Sequence, residues 1–215
     1  MSEELFKQMA QSVIEGEDEE AAALAQQALD QGADALDCIN KGYTVGMDEV
    51  GELFSTGEYF LPDLILGGEA MKAALAVLEP ALKAAGQERE VLGHVVLGTV
   101  KSDIHEIGKS LVGTMLSANG FEVYDLGIDI ESEIFVEKAR EHKADIVALS
   151  ALLTTTMLHQ REVIEHLAEA GLRDQVKVMV GGSPVTRGWA DQIGADGFAE
   201  DAATAVVEAK RLMGI

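Results

Sequence analysis

Apolar residues return every three or four positions through the first part of the chain, as at Leu5, Phe6, Met9 and Val13, with Ala, Leu, Glu and Gln filling the places between. That spacing lays the apolar side chains along one stripe of a helix, so the stretch from Glu3 to Gly86 reads as helices only. Breaks fall at Gly16, at Gln31 and Gly32, and between Ser55 and Leu61, where Pro62 suits the first turn of a new helix. Four helices result. The last is predicted from about Pro62 to Leu78, with Pro80 ending or kinking it.

From Lys83 to Arg89 the chain is polar enough for a linker, and beyond it the rhythm changes. Short apolar runs near 91–99, 121–126, 145–150, 176–181 and 196–199 alternate with amphipathic helical stretches. Strands alternating with helices pair in parallel, because each crossover returns the chain to the same end of the sheet. The predicted class is α/β: a four-helix bundle over residues 1–88, then a five-stranded, doubly wound sheet of Rossmann-like or flavodoxin-like kind over residues 89–215. In such sheets the ligand sits beyond the C-terminal strand ends, where the strand order reverses. The informative loops are therefore those that follow the strands.

Composition narrows the classes. A chain of 215 residues holds two small domains, and 47% hydrophobic with 25% charged residues is the balance of a soluble globular protein. Cys38 is the only cysteine, which excludes an internal disulfide and a multi-thiolate metal site. Without a signal-peptide pattern or an apolar run of about 20 residues, the expected compartment is the cytoplasm and no membrane partner is expected. The net charge of −22 opposes phosphate backbones, so no nucleic-acid partner is expected either. Up to residue 88 there are 4 basic and 18 acidic residues, which concentrates the excess in the helical part.

The loop after the first strand reads Lys101-Ser102-Asp103-Ile104-His105-Glu106-Ile107-Gly108-Lys109. A histidine that gives one ring nitrogen to a metal needs the other held, commonly by a carboxylate, and Asp103 stands two residues away. Gly108 would let backbone come close to a ligand. After the third strand comes Ser150-Ala151-Leu152-Leu153-Thr154-Thr155-Thr156, and after the fourth Gly181-Gly182-Ser183-Pro184. Small and hydroxyl residues at neighbouring strand ends leave a deep slot.

These three motifs resemble the cobalamin-binding domain family that takes its cofactor with the benzimidazole base displaced: Asp-x-His-x-x-Gly, then Ser-x-Leu, then Gly-Gly. Forty-one residues lie between Gly108 and Ser150 and 28 between Leu152 and Gly181, in keeping with that family. The first half resembles the helical cap of methionine synthase and of small corrinoid methyl carriers, around Met47-Asp48-Glu49-Val50-Gly51-Glu52-Leu53-Phe54 and Tyr59-Phe60-Leu61-Pro62-Asp63. Together they resemble a corrinoid methyl-carrier protein of a multi-component methyltransferase system.

The resemblance implies cobalamin held base-off and His-on, cycling between cob(I)alamin and methylcobalamin, with His105 as the axial ligand to cobalt. Asp103 would hold His105, and Thr156 would continue the chain, with Thr154 or Thr155 open as alternatives. Gly108, Ser150, Leu152, Thr154, Gly181 and Gly182 would line the slot for the nucleotide tail, Ala199 and Glu200 would close its far end, and Phe54 and Leu61 of the cap would lie over the upper corrin face. Plain bundle core accounts for Phe54 and Leu61 equally well. The implied partners are a substrate-specific methyltransferase, a methylcorrinoid:tetrahydrofolate or coenzyme M methyltransferase, and a reductive activase; the chain itself would be a carrier subunit, not a stand-alone catalyst. The methyl donor stays open among methylamine, methanol, betaine and aryl ethers.

Other readings are a cobalamin-dependent sensor and the cobalamin subunit of a mutase; the first lacks a basic helix-turn-helix segment here and the second is opposed by the cap. A zinc site on His94, Asp103 and His105 has neither cysteine nor a helical His-x-x-x-His behind it. Gly181-Gly182 has no Walker lysine pattern to make it a phosphate loop. His94, His142, His159 and His166 read as structural or surface residues.

Overall fold

A computed structural model describes residues 3–85 and 91–215. The chain divides into two compact units, Met1–Glu90 and Val91–Ile215. The boundary expected between residues 88 and 89, and most of the expected linker, lie outside the described residues.

The first unit holds α1 (Glu3–Ile14), α2 (Asp18–Asp30), α3 (Ala35–Cys38), α4 (Thr44–Thr56) and α5 (Leu61–Ala84). A π turn over Ile39–Tyr43 joins α3 to α4 without a break, so the four expected helical rods are present and the third is a composite. Leu5, Met9 and Val13, spaced by four, are buried on one stripe of α1, facing a core that includes Ala25, Met71 and Leu78. Gly16 turns the chain at φ +70, and a Cβ there would come within 2.5 Å of Leu66 Cβ, so the α1–α2 corner needs glycine on both counts. The Tyr43 hydroxyl, fully buried, donates to Ala21 O at 2.7 Å. Burial, with Asp34 and Asp37 nearby, pushes the Cys38 thiol up to about 11, which leaves it a neutral core side chain.

Pro80 does not end the last helix: α5 runs on to Ala84. Proline deletes only the hydrogen bond to the carbonyl four residues back. Leu82, buried beyond it, secures the final turn by packing. At the other end, Asp63 Oδ2 accepts the Phe60 amide at 2.8 Å and so fixes where α5 begins.

The second unit alternates strictly: β1 (His94–Thr99), α6 (Ile107–Ala118), β2 (Glu122–Asp125), α7 (Ser132–Glu141), β3 (Ile146–Ser150), α8 (Leu158–Glu169), β4 (Lys177–Gly181), α9 (Arg187–Ile193), β5 (Gly197–Ala199) and α10 (Ala202–Met213). All pairings are parallel and the order is β2-β1-β3-β4-β5. Strands covered on both faces are near-continuous apolar runs, and β1 and β3 are buried along almost their whole length. Val96, Val147, Leu149, Val178 and Val180 pack with Phe135 of α7 and Val163 and Leu167 of α8. Gly113 of α6 comes against Leu97 from the other face.

The chain leaves β1 for β2 on one side and returns to β3 on the other. The loops after β1 and β3 therefore part at the switch point, which opens a crevice at the C-terminal edge. Among the described residues no helix is long and apolar enough to cross a membrane.

Candidate functional site

Asp103 anchors the crevice. Its side chain is 0% exposed and its two oxygens accept four hydrogen bonds. Oδ1 faces His105 Nδ1 at 2.7 Å and accepts the His105 amide at 3.1 Å; Oδ2 accepts the Leu152 amide at 2.7 Å and the Thr156 hydroxyl at 2.6 Å. One carboxylate thus ties the loop after β1 to the loop after β3.

Burial alone would raise the Asp103 pKa. The hydrogen bonds from Thr156, Leu152 and His105 more than offset it and hold the carboxyl well below the usual carboxylate range. An ionised carboxylate only accepts, so His105 Nδ1 carries the proton and, in the neutral ring, the lone pair sits on Nε2. The ring is 44% exposed and its Nε2 has no partner among the described residues. Of the three threonines, Thr156 is buried and bonded to Asp103, whereas Thr154 and Thr155 are exposed.

The slot residues share one row. Register places Thr99 beside Ser150, Ser150 beside Gly181 and Gly181 beside Ala199, so four neighbouring strands end on small side chains at one level. Gly182 follows at φ +118, and a Cβ there would fall 1.8 Å from Ala151 O, so the backbones of the two loops touch. Gly108 is the opposite case: a Cβ would meet nothing within 4 Å, and its backbone is helical. Nothing in the fold asks for glycine at Gly108, and the space beside it is open. Glu200 follows the row and is exposed. Phe54, partly buried, and Leu61, exposed at the start of α5, belong to the first unit.

Sequence reasoning passed over several residues. Buried Thr99 donates to His105 O at 2.9 Å. Gln160, fully buried, donates to Leu149 O at 3.0 Å and Gly181 O at 3.1 Å and accepts from Trp189 at 3.0 Å, bracing β3 against β4. Asp129, on the loop after β2, accepts the Ser102 amide at 2.6 Å. Ile104 and Ile107, 71% and 80% exposed, flank His105; two bare isoleucines beside a loop histidine were the available signal for an apolar platform. The zinc reading has no support, since no group of three metal-ligating side chains occurs among the described residues.

A family profile described as a B12 binding domain matches residues 93–207, and a second, also described as a B12 binding domain, matches residues 5–79. A corrinoid protein of Desulfitobacterium hafniense is 48% identical across 98% of both chains. The chain belongs to the corrinoid proteins of methyltransferase systems. This corrinoid protein is also 48% identical to trimethylamine corrinoid protein 2 of Methanosarcina mazei, over 97% of its own length and 95% of that chain. Among solved structures, the methanol:cobalamin methyltransferase complex of Methanosarcina barkeri contains a chain that it matches with a TM-score of 0.87 and 31% identity, covering 98% of this chain and 80% of that one.

The donor set fits a corrinoid. A corrin brings most of its metal's ligands with it, so a single imidazole nitrogen without a partner among the described residues is a donor that such a group could take. The small-residue row and the open space at Gly108 lie at the same C-terminal edge of the sheet as the His105 loop.

Proposed function

We propose that this corrinoid protein carries a methyl group between a substrate-specific methyltransferase and a methylcorrinoid:acceptor methyltransferase, with tetrahydrofolate or coenzyme M as acceptor. The reading includes cobalamin held base-off and His-on, with a reductive activase restoring oxidised cofactor. The observation that carries it is the hydrogen-bonded run Thr156–Asp103–His105, ending on an Nε2 that has no partner among the described residues.

When bound, the corrinoid supplies a cobalt centre that accepts a methyl group from one protein and yields it to another. His105 would hold the cobalt through Nε2. Asp103 keeps Nδ1 protonated and fixes the ring plane, and the Leu152 amide and Thr156 hydroxyl keep Asp103 ionised. Asp103, held ionised, would keep the proton on Nδ1 and so leave the Nε2 lone pair as the one the ring presents.

Gly108, Ser150, Leu152, Thr154, Gly181 and Gly182 would line the channel for the displaced nucleotide, with Ala199 and Glu200 at its far end. Phe54 and Leu61 are assigned to the upper face of the cofactor. Relatives named for trimethylamine and dimethylamine favour a methylated amine as donor.

The experiment is the visible spectrum of protein reconstituted with hydroxocobalamin and freed of excess by gel filtration, parent against His105→Ala. Retained cofactor with a histidine-ligated spectrum that the variant lacks supports the assignment. A parent that elutes without corrinoid sinks it. Methylation of the loaded protein by a methylamine methyltransferase, and not by a methanol one, would identify the donor side.

A further inference from the structure

We infer that Asp129 is a positioning residue for the cobalt-ligand loop: it locks Ser102 and Asp103 in the arrangement from which Asp103 orients His105. The inference rests on the reading of His105 as axial ligand.

The loops after β1 and β2 leave adjacent parallel strands, and they are interlocked. Ser102 and Asp129 both hold left-handed backbone, at φ +63 and +55, a region that non-glycine residues enter at a cost and that Asp and Asn tolerate best. The two compensate each other. Asp129 Oδ1 accepts the Ser102 amide at 2.6 Å, and the Asp129 amide donates to Asp103 O at 2.9 Å. One residue therefore grips the chain immediately before Asp103 through its side chain and at Asp103 itself through its backbone. The Asp103 amide is in turn bonded to Val100 O at 3.2 Å, so the backbone of Asp103 is held at both its polar groups.

The hold bears on the ligand because Asp103 reaches His105 over only two residues and is fully buried. A small rotation at Ser102 would swing the carboxylate off Nδ1, and the ring would lose its fixed plane. Asp129 itself is exposed and has no bond to His105, which is why it reads from the sequence as an ordinary surface acid. The exposed Lys101–Glu131 pair, 2.8 Å apart, spans the same two loops but at that exposure adds little.

Two substitutions separate the side-chain acceptor from the backbone. Asp129→Gly keeps the left-handed conformation accessible and removes the acceptor; Asp129→Asn keeps both. Parent, His105→Ala and the two variants would be loaded with cobalamin, reduced to cobalt(II) and examined by electron paramagnetic resonance, where an axial nitrogen splits each cobalt line in three. Parent and Asp129→Asn are expected to show the splitting. Asp129→Gly is expected to lose it in most molecules while still co-eluting with cofactor.

Undiminished splitting in Asp129→Gly overturns the inference. If His105→Ala keeps the parent's splitting, it is the ligand reading that has failed, and the two failures are told apart. Should Asp129→Gly not fold, hydrogen exchange in the apo parent decides: the Ser102 amide is expected to exchange at least about tenfold more slowly than a free peptide despite its surface position. Exchange at the free-peptide rate would mean there is no lock.

Discussion

The Thr156 hydroxyl reaches back across 53 residues of sequence to donate to Oδ2 of Asp103 at 2.6 Å, with both residues buried. Thr156→Val keeps the shape and removes the donor, leaving a buried carboxylate one bond short. Hydrogen bonds to charged groups contribute about 1.5–3 kcal/mol, so urea unfolding of the apoprotein should show a loss in that range, whereas Thr156→Ser should lie near the parent. Equal stability of the valine and serine variants would show that the hydroxyl contributes nothing.

Two glycines at the same edge should respond in opposite ways. Gly182→Ala places a methyl 1.8 Å from Ala151 O at φ +118 and should cost more than about 3 kcal/mol, visible as a collapsed melting temperature. Gly108→Ala meets no protein atom and sits in the first turn of α6. It should leave the apoprotein as stable or stabilise it by about 0.5–1 kcal/mol. Retention of hydroxocobalamin through gel filtration should nevertheless fall. A Gly108→Ala protein that holds cofactor as the parent does would show that the open space there is not used.

β1, β3 and β4 could be read from the sequence because a parallel strand covered on both faces is a short apolar run, whereas the edge strand β2, Glu122–Asp125, was placed by the alternation of strands with helices. The Asp103–His105 pair was legible because both partners lie on one loop. Asp129 and Gln160 were not. Their importance depends on which loops and strands are neighbours, and the order β2-β1-β3-β4-β5 is a property of the folded sheet that no local window contains. Pro80 misled for the converse reason: the local rule says stop, and the packing of Leu82 overrides it.

Glu208 should give the second unit an acid-sensitive melt. Hydrogen bonds from Arg211, the Phe198 amide and Arg187 outweigh its burial and hold its pKa down to about 2. A depressed carboxylate stabilises the fold above its unfolded pKa, about 4.3, and that contribution is lost as pH falls through the folded value. The melting-temperature gap between parent and Glu208→Gln should therefore be widest above pH 5 and close toward pH 2. A gap independent of pH would mean that the network acts through packing, not charge.

Pro80 is exposed inside α5 and forfeits one backbone hydrogen bond. Pro80→Ala restores the donor but frees the unfolded chain, and the balance should raise stability by about 1–2 kcal/mol. Thermal unfolding followed by circular dichroism would check this, and a lower melting temperature would show that α5 is built around the proline.

The π turn at Ile39–Tyr43, where the Thr44 amide reaches back five residues to Ile39 O, makes the rod from Ala35 to Thr56 a helix with one residue spliced in. Each α-helical residue turns the chain by about 100°, but the wide π turn takes in its extra residue with little added rotation, so the rod keeps its angular phase on both sides. Cys38 before it, Ile39 and Tyr43 within it, and Met47 and Val50 after it all face inward. A one-residue deletion inside 39–43 should close the wide turn to an ordinary α-turn and leave Met47 and Val50 facing inward, whereas the same deletion between Thr44 and Met47 should roll both about 100° toward solvent. The reading frame of this rod, counted in angle instead of codons, admits the loss of a residue at its wide turn and at no other point along its length.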